Sequence, residues 1–248
     1  MHAAGNDYIY INLFEEKVEN PCELSKRLSE RHFSVGGDGI VLIGPSVEAD
    51  FSMLMFNADG SEGLMCGNAA RCVGKYLYER GMTRKNEISL STKSGIKHLA
   101  LKVNNSTNKV ELIQVNMGKA ILSAKDAVPQ GYFQLALNEM IDYPIQFDEK
   151  KFRITFVSMG NPHAVIFTHN IESLEIEKIG PKIEHLNLFP NRTNVEFVEV
   201  IDSKHINTRV WERGSGETLS CGSGACAAVV AGSVAGRCKS RVKVSMRG

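Results

Sequence analysis

An excess of charge of either sign is absent from this sequence: 29 lysines and arginines against 28 aspartates and glutamates leave a formal net charge of +1. A nucleic-acid surface needs a basic excess gathered on one face, so nucleic acid is not an expected partner. No apolar run approaches the length of a membrane span, and the start lacks the charged and apolar regions of a secretory signal. A cytoplasmic protein without a membrane partner is the expectation. The six cysteines show no C-x-x-C or other zinc spacing, and 248 residues bury enough core to need no disulfide staples. A Gly-x-Ser-x-Gly elbow, a His-Glu-x-x-His helix and a dinucleotide fingerprint are also missing. Gly36-Gly37-Asp38-Gly39 has the glycines of an anion cradle but not the Lys-Ser/Thr pair of a P-loop, and reads as a plain turn. Neither a metal nor a cofactor is expected.

What is present is one short pattern written twice. Glu62-Gly63-Leu64-Met65-Cys66-Gly67-Asn68-Ala69-Ala70 and Glu217-Thr218-Leu219-Ser220-Cys221-Gly222-Ser223-Gly224-Ala225 both fit Glu-x-Leu-x-Cys-Gly-x-x-Ala without gaps. An aromatic residue, Phe56 or Trp211, precedes each cysteine by ten positions, and a helix-compatible run follows each, Ala69 to Arg80 and Ala225 to Val234. Each cysteine thus stands where a loop enters a helix and backbone N–H groups lack intrahelical partners. The partial positive charge there favours a thiolate and lowers the thiol pKa. A buried cysteine capping a core helix is the commoner use of the residue. Two in matched surroundings point instead to an acid–base pair of thiols, one per half, facing across a cleft. Cys72 and Cys226, one to two turns into their helices, read as core; Cys22 and Cys238 carry no signal.

The rest reads as many short strands with one long helix per half, an α+β design repeated twice. Strands are expected at Tyr8–Ile11, Ile40–Ile43 and Phe51–Phe56 and through Glu87–Val115. A helix at Pro21–His32 opens on proline and spaces Leu24 and Leu28 four apart. In the second half strands are expected around Tyr132–Leu137 and at Phe152–Val157, Ala164–Phe167, Val195–Ile201, Ile206–Trp211 and Arg241–Met246. A helical period runs from Ile171 to Leu186. The boundary falls near Met117-Gly118, giving packed halves of residues 1–117 and 118–248. Asn161-Pro162-His163 sets a histidine in an ordered turn before an apolar strand; a lone histidine there is more often structural. Arg213 lies eight residues before Cys221; its planar fork suits a carboxylate, and a plain surface pair with Glu212 is the alternative.

Together these residues resemble the cofactor-independent two-cysteine racemases and epimerases, diaminopimelate epimerases in particular. The matching segments are Gly5-Asn6-Asp7, Phe56-Asn57-Ala58-Asp59-Gly60-Ser61-Glu62, Met65-Cys66-Gly67-Asn68, Arg71-Cys72, Gly160-Asn161-Pro162-His163, Asn194, and Trp211 to Thr218 with Cys221-Gly222. They run from the first residues nearly to the last.

The resemblance implies two similar strand-rich halves, each a barrel-like sheet around a central helix, with the active site in the cleft between them. It implies epimerisation of LL-diaminopimelate to the meso form, a step towards lysine and peptidoglycan, and a homodimer. Carried over by the match, Cys66 and Cys221 are the two bases, and His163 and Glu212 tune or orient them. The amides of Gly67, Asn68, Gly222 and Ser223 would hold the carboxylate of the reacting centre. Asn6, Asn57, Asn161, Asn194, Glu212 and Arg213 would hold the substrate, Arg213 on its distal carboxylate. Gly39 stands where some members carry a substrate-side glutamine.

The sequence departs from the family at its start, where Ala3 and Ala4 replace part of a glycine pattern and a short leading strand is missing. It departs again at its end, where the family continues for roughly two dozen residues, enough for several strands. A fragment or a shortened homologue is therefore expected. The chemistry agrees with the resemblance: an amino-acid α-proton is a very weak acid, and two helix N-termini aimed at one carboxylate would stabilise the charge that develops when it leaves. Three alternatives stand beside this reading: a racemase of another amino acid such as histidine, a non-catalytic module holding a small anion, and a redox dithiol protein, the last weakened by the absence of C-x-x-C.

Overall fold

The computed structural model describes residues 1–123, 140–147 and 150–248; the strand expected around Tyr132–Leu137 lies outside the described residues. The chain divides into two compact units, Met1–Met117 and Gly118–Gly248. Among the described residues no helix is long and apolar enough to cross a membrane.

In the first unit a small hairpin, β1 (His2–Ala3) and β2 (Asn6–Asp7), precedes a seven-stranded sheet. Its strands are β3 (Ile9–Asn12), β4 (Gly39–Gly44), β5 (Phe51–Asn57), β6 (Glu62–Gly63), β7 (Glu87–Thr92), β8 (Gly95–Asn104) and β9 (Lys109–Val115). They lie in the order β3-β4-β5-β7-β8-β9, with β6 paired to β5. The β3/β4 and β5/β7 pairs are parallel. Parallel neighbours need a crossover, and a helix lies in each: α1 (Pro21–Ser29) and α2 (Gly67–Glu79). Asn20 caps α1 by accepting the Glu23 N–H, and Pro21 fills its first position. The helix stops at Ser29 rather than at the expected His32, because the Gly36 and Gly37 amides fold back onto the Leu28 and Ser29 carbonyls. α2 buries Ala69, Ala70, Val73 and Leu77 in a cluster with Met53, Met55, Leu90 and Leu99 of the sheet. A Cβ on Gly74 would meet Leu99 Cδ2 at 2.9 Å, so glycine sets how closely helix and sheet approach.

The second unit carries another seven-stranded sheet: β10 (Tyr143–Phe147), β11 (Lys150–Ser158), β12 (Pro162–Phe167), β13 (Asn194–Asp202), β14 (His205–Glu212), β15 (Gly216–Thr218) and β16 (Lys243–Ser245). The order is β10-β11-β12-β13-β14-β15, with β16 parallel to β14. β10 was not expected; among the described residues it lies at the sheet edge, where Pro144 costs no ladder bond. The parallel pair β12/β13 is spanned by α3 (Ile176–Glu184), and α4 (Gly222–Val234) lies between β15 and β16. The helical period from Ile171 is broken into a 3₁₀ turn, Ile171–Ser173, and α3. The cause lies far along the chain. Arg209 Nη1 donates to the carbonyls of Ile171 (2.6 Å), Glu172 (3.3 Å) and Leu174 (2.9 Å), oxygens that a continuous helix would give to its own amides. Glu217 grips the rest of that buried guanidinium at 2.7 and 3.0 Å.

The expected α+β architecture is thus present in each unit, and the two follow one plan. The hairpin of β5 and β6 pairs Phe56 with Glu62; that of β14 and β15 pairs Trp211 with Glu217.

Candidate active site

In both units the hairpin delivers its cysteine to the first position before a helix. Cys66 is the N-cap of α2 with φ −131° and ψ 118°; Cys221 is the N-cap of α4 with φ −129° and ψ 117°. Each sulfur accepts the third amide of its helix, from Ala69 at 3.5 Å and from Gly224 at 3.3 Å, which is what an N-cap side chain does for an orphan donor. The helices begin at Gly67 and Gly222, two and three residues before the expected starts. The amides of Gly67, Asn68, Gly222 and Ser223 therefore belong to the first turns, where N–H groups have no intrahelical acceptor.

Around Cys66 the first unit gathers Asn6 and a charged cluster. The Cys66 thiol donates to Asn6 Oδ1 at 3.2 Å, and Asn6 Nδ2 donates to Asp38 Oδ2 at 2.8 Å. Arg31 grips Asp7 through both carboxylate oxygens at 2.7 and 3.1 Å and reaches Asp38 at 2.9 Å. Its guanidinium holds the Asp7 carboxyl below the usual range. Asn68 is buried and accepts from Arg71. Asn57 donates to Ser61 at 3.0 Å and lies opposite Gly39 in the β4/β5 ladder. Gly39 has φ +151°, and a Cβ there would sit 2.0 Å from the Phe56 carbonyl oxygen; only its backbone is available for binding.

Around Cys221 the second unit builds a longer chain of contacts. Ser223 Oγ lies 3.4 Å from the sulfur, Asn161 Nδ2 donates to Ser223 Oγ at 3.2 Å, and Asn161 Oδ1 lies 3.1 Å from His163 Nε2. His163 Nδ1 lies 2.7 Å from Glu196 Oε1, and both side chains are wholly buried. Asn194 accepts the Arg213 amide at 2.9 Å and donates to the Pro162 carbonyl at 3.2 Å. The Arg213 guanidinium donates to the Asn191 carbonyl at 3.1 Å, and Glu212 accepts from Thr218 at 2.5 Å.

The expected fall in thiol pKa is reversed at Cys221. Burial pushes this thiol well above its ordinary value, and the carboxylates of Glu212 and Glu196 push the same way; bonds from Ser223 and the Gly224 amide oppose them without prevailing. The helix terminus stabilises an anion, but removing the sulfur from water costs more.

Sequence reasoning missed three acidic residues, one in the first unit beside Cys66 and two in the second unit. Glu196 backs His163; its only signal is a carboxylate between apolar residues of a strand that also carries Glu199. Asp38 holds Asn6, although in sequence it reads only as part of a glycine turn. Glu184, also buried, accepts Trp211 Nε1 at 2.7 Å and the Gly214 amide at 3.1 Å, and so anchors the loop that carries Glu212 and Arg213. Nothing in its local sequence marked it.

The family model for diaminopimelate epimerase matches residues 1–123 and 155–248. The chain belongs to the diaminopimelate epimerase family. It is 52% identical over 248 residues to the diaminopimelate epimerase of Acetivibrio thermocellus, covering all of this chain and 86% of that one. It is 49% identical over 251 residues to that of Methanococcus maripaludis, covering all of this chain and 87% of that one. The family is one of isomerases. Among solved structures, a hydroxyproline epimerase from Agrobacterium vitis superimposes with a TM-score of 0.64 at 16% identity, over 95% of this chain and 76% of that one. A PhzF-family protein from Bacillus anthracis gives 0.54 at 19%, over 84% and 69%. These two likenesses show that the fold of the diaminopimelate epimerase family is shared more widely.

Proposed function

We propose that this chain epimerises LL-diaminopimelate to the meso form by proton exchange at one α-carbon, with Cys66 and Cys221 as the two acid–base groups. One observation carries the reading: in a chain of this family, a cysteine caps a helix in each unit with the same backbone angles to within two degrees.

The reaction needs no more than two proton transfers. A thiolate takes the α-proton, so that the Cα–H bond breaks and an S–H bond forms. The electron pair left on carbon spreads into the adjoining carboxylate. The second cysteine, as thiol, returns a proton to the opposite face, so that its S–H bond breaks and the new C–H bond has inverted configuration. The cysteines have then exchanged roles. First-turn amides of Gly67, Asn68, Gly222 and Ser223 bind the carboxylate as its charge grows. Asn6, Asn57, Gly39 through its backbone, Asn161, Asn194 and Glu212 bind the remaining polar groups, and Arg213 takes the distal carboxylate with its planar fork. His163 and Glu212 adjust the charge felt by Cys221. The product serves lysine and peptidoglycan synthesis in this reading.

The test is α-proton exchange in deuterated water. Purified protein given LL-diaminopimelate should incorporate deuterium at the α-carbon and accumulate the meso isomer, while other L-amino acids, histidine included, should not exchange. Exchange of another amino acid alone overturns the substrate assignment. Absence of exchange with every compound overturns the reaction.

A further inference from the structure

We infer that Asp38 is a positioning residue for Cys66: it fixes the Asn6 amide so that Asn6 presents its carbonyl oxygen to the sulfur and selects the thiol form. The inference rests on the proposed function for its meaning in turnover, but its geometry is independent of it. An amide can face a neighbour with either end, and the neighbours decide which. Asp38, ion-paired with Arg31, can only accept. It takes Asn6 Nδ2 at 2.8 Å and the Asp7 amide at 3.0 Å on one oxygen, and Arg31 at 2.9 Å on the other. Asn6 Nδ2 is thereby committed, so Oδ1 is the atom that meets Cys66 at 3.2 Å. A carbonyl oxygen bonds an S–H and repels a thiolate. The helix terminus draws Cys66 towards the anion, and the Asp38–Asn6 pair opposes it. A thiol held as acid until substrate displaces Asn6 is the consequence.

Other ionisable groups lie on the elements packed around the helix that this cysteine caps. β3 supplies Tyr10, whose pKa is raised by burial first and then by Cys72 and Cys66, and the residue before β3 is Tyr8. α2 itself supplies Cys72 and Arg71, the latter turned to Asn68. From β2 and the end of α1 come Asp7 and Arg31, and β1 carries only the exposed His2. Lys97, on the same strand face as Leu99, is desolvated and its pKa lowered. Lys109 of β9 pairs with Glu79, as does Lys75, at the far end of α2. None of these sets the direction of the Asn6 amide, which is why the test varies that alone.

The experiment is peptide-resolved alkylation of Cys66 by iodoacetamide across pH, in the full chain without substrate. In Asp38→Asn, Arg31 and the Asp7 amide compete for the one remaining carbonyl oxygen; the charged donor forms the stronger bond, so the oxygen stays with Arg31, the Asp7 N–H loses its acceptor and the new NH2 faces Asn6. The Asn6 amide then turns over and offers a donor to sulfur. The alkylation midpoint should fall by about one pH unit, an increase of about tenfold in rate at a fixed pH below it. Asp7→Asn removes the same charge from the same cluster but leaves the Asn6–Asp38 bond, and should leave the midpoint in place. An unchanged midpoint in Asp38→Asn overturns the inference, and so does an equal fall in both variants, which would mean simple loss of charge. If Asp38→Asn fails to fold, Asn6→Ala removes the acceptor directly and must lower the midpoint; no change there overturns it equally. The readout is the thiol itself, so its failure is distinct from a failure of the epimerase reading, which the deuterium assay detects.

Discussion

Aligned by their strand pairings, the two units place different chemistry in the same frame. Val41 pairs with Met55 one step after Ile40–Phe56, and Glu196 pairs with Val210 one step after Val195–Trp211. Val41 and Glu196 therefore occupy one position of the repeat, and both are wholly buried. By the same count Tyr8 corresponds to His163 and Asn6 to Asn161. The third residue after the cysteine differs in step: Ala69 in the first unit, Gly224 in the second. A Cβ on Gly224 would lie 2.7 Å from Glu196 Oε1. The first unit thus keeps an apolar core behind its cysteine and a charged cluster, Asp7, Arg31 and Asp38, beside it. The second buries a carboxylate–histidine pair behind its cysteine and gives up a methyl group to fit it. A repeated backbone does not require repeated electrostatics, and the acid–base pair proposed above, which must hold opposite protonation states, gains from the difference.

The largest expected effect tests whether both copies act. Cys66→Ala and Cys221→Ala should each lower the epimerisation rate by about 10²–10⁴-fold, the usual worth of a positioned acid or base, with diaminopimelate still bound by the helix amides. Stopped turnover with retained binding, read by isothermal titration, is the expected pair of results. If one variant keeps most of its activity, the comparison fails on the functional side and only one copy is a base.

The coupling between Gly224 and Glu196 sharpens the comparison next. Gly224→Ala should destabilise the protein by about 1–3 kcal/mol, because overpacked methyl groups in a rigid interior force neighbours to shift. In a Glu196→Val background, which copies the first unit, the same change should cost less than about 1 kcal/mol. Urea unfolding of the four variants measures the coupling. Additive costs would mean that the carboxylate is not what excludes the methyl group.

How much of this was legible in sequence follows from the range of each interaction. The duplicated motif is local, so the placement of Cys66 and Cys221 at loop-to-helix junctions could be read from nine residues. Most strands of both sheets alternate or run apolar enough to be found, and the α+β class followed; the short β6, β10 and β15 are not marked in this way. Distant partners were not legible. The break before α3 comes from Arg209, 38 positions beyond Ile171, and the Asn6–Asp38 bond spans 32 positions. The pKa of Cys221 was misjudged for a related reason: the helix terminus is a local fact, whereas burial depends on what the rest of the unit lays over the sulfur. Glu196 went unseen because a strand pattern reports burial but not the partner that makes a buried charge tolerable.

A smaller effect separates burial from charge at Cys221. Glu212 is the second cause, after burial, of the raised thiol pKa. Glu212→Gln removes a negative neighbour and keeps the shape, so the thiolate should form more readily and the pKa fall. Alkylation of Cys221, followed by peptide mapping, should speed up by as much as about tenfold at fixed pH, while the midpoint stays above that of a solvent-exposed thiol because burial remains. A midpoint that does not move would leave burial and Glu196 as the causes and remove Glu212. A fall to the exposed-thiol range would make charge the dominant cause instead.

The smallest effect lies where the first strand of each motif hairpin, β5 or β14, begins, at another matched position. In the first unit Asp50, just before β5, accepts the Ser89 amide at 2.9 Å and the Ser89 hydroxyl at 2.8 Å, and pairs with Lys85. In the second, His205 at the start of β14 bonds the Ser245 hydroxyl at 2.9 Å. A carboxylate and an imidazole thus tie this strand to its parallel neighbour, β7 or β16. Lys85 first, and then Ser89, lower the Asp50 pKa from 3.8 to about 2. A depressed carboxyl pKa adds stability that is fully present above the unfolded value and is lost as pH falls through the folded one. Lys85 is 65% exposed, so its share is screened by solvent, and the bonds from Ser89 to a charged acceptor carry most of the effect. Asp50→Ala should therefore cost about 1 kcal/mol near neutrality. The gap from the parent chain should hold down to about pH 4 and then close towards pH 2. Urea midpoints of both chains, taken stepwise from about pH 7 to about pH 3, test the sign. A gap that widened on acidification would mean that Asp50 is protonated more readily in the folded chain than in the unfolded one, contrary to the bonds that hold it.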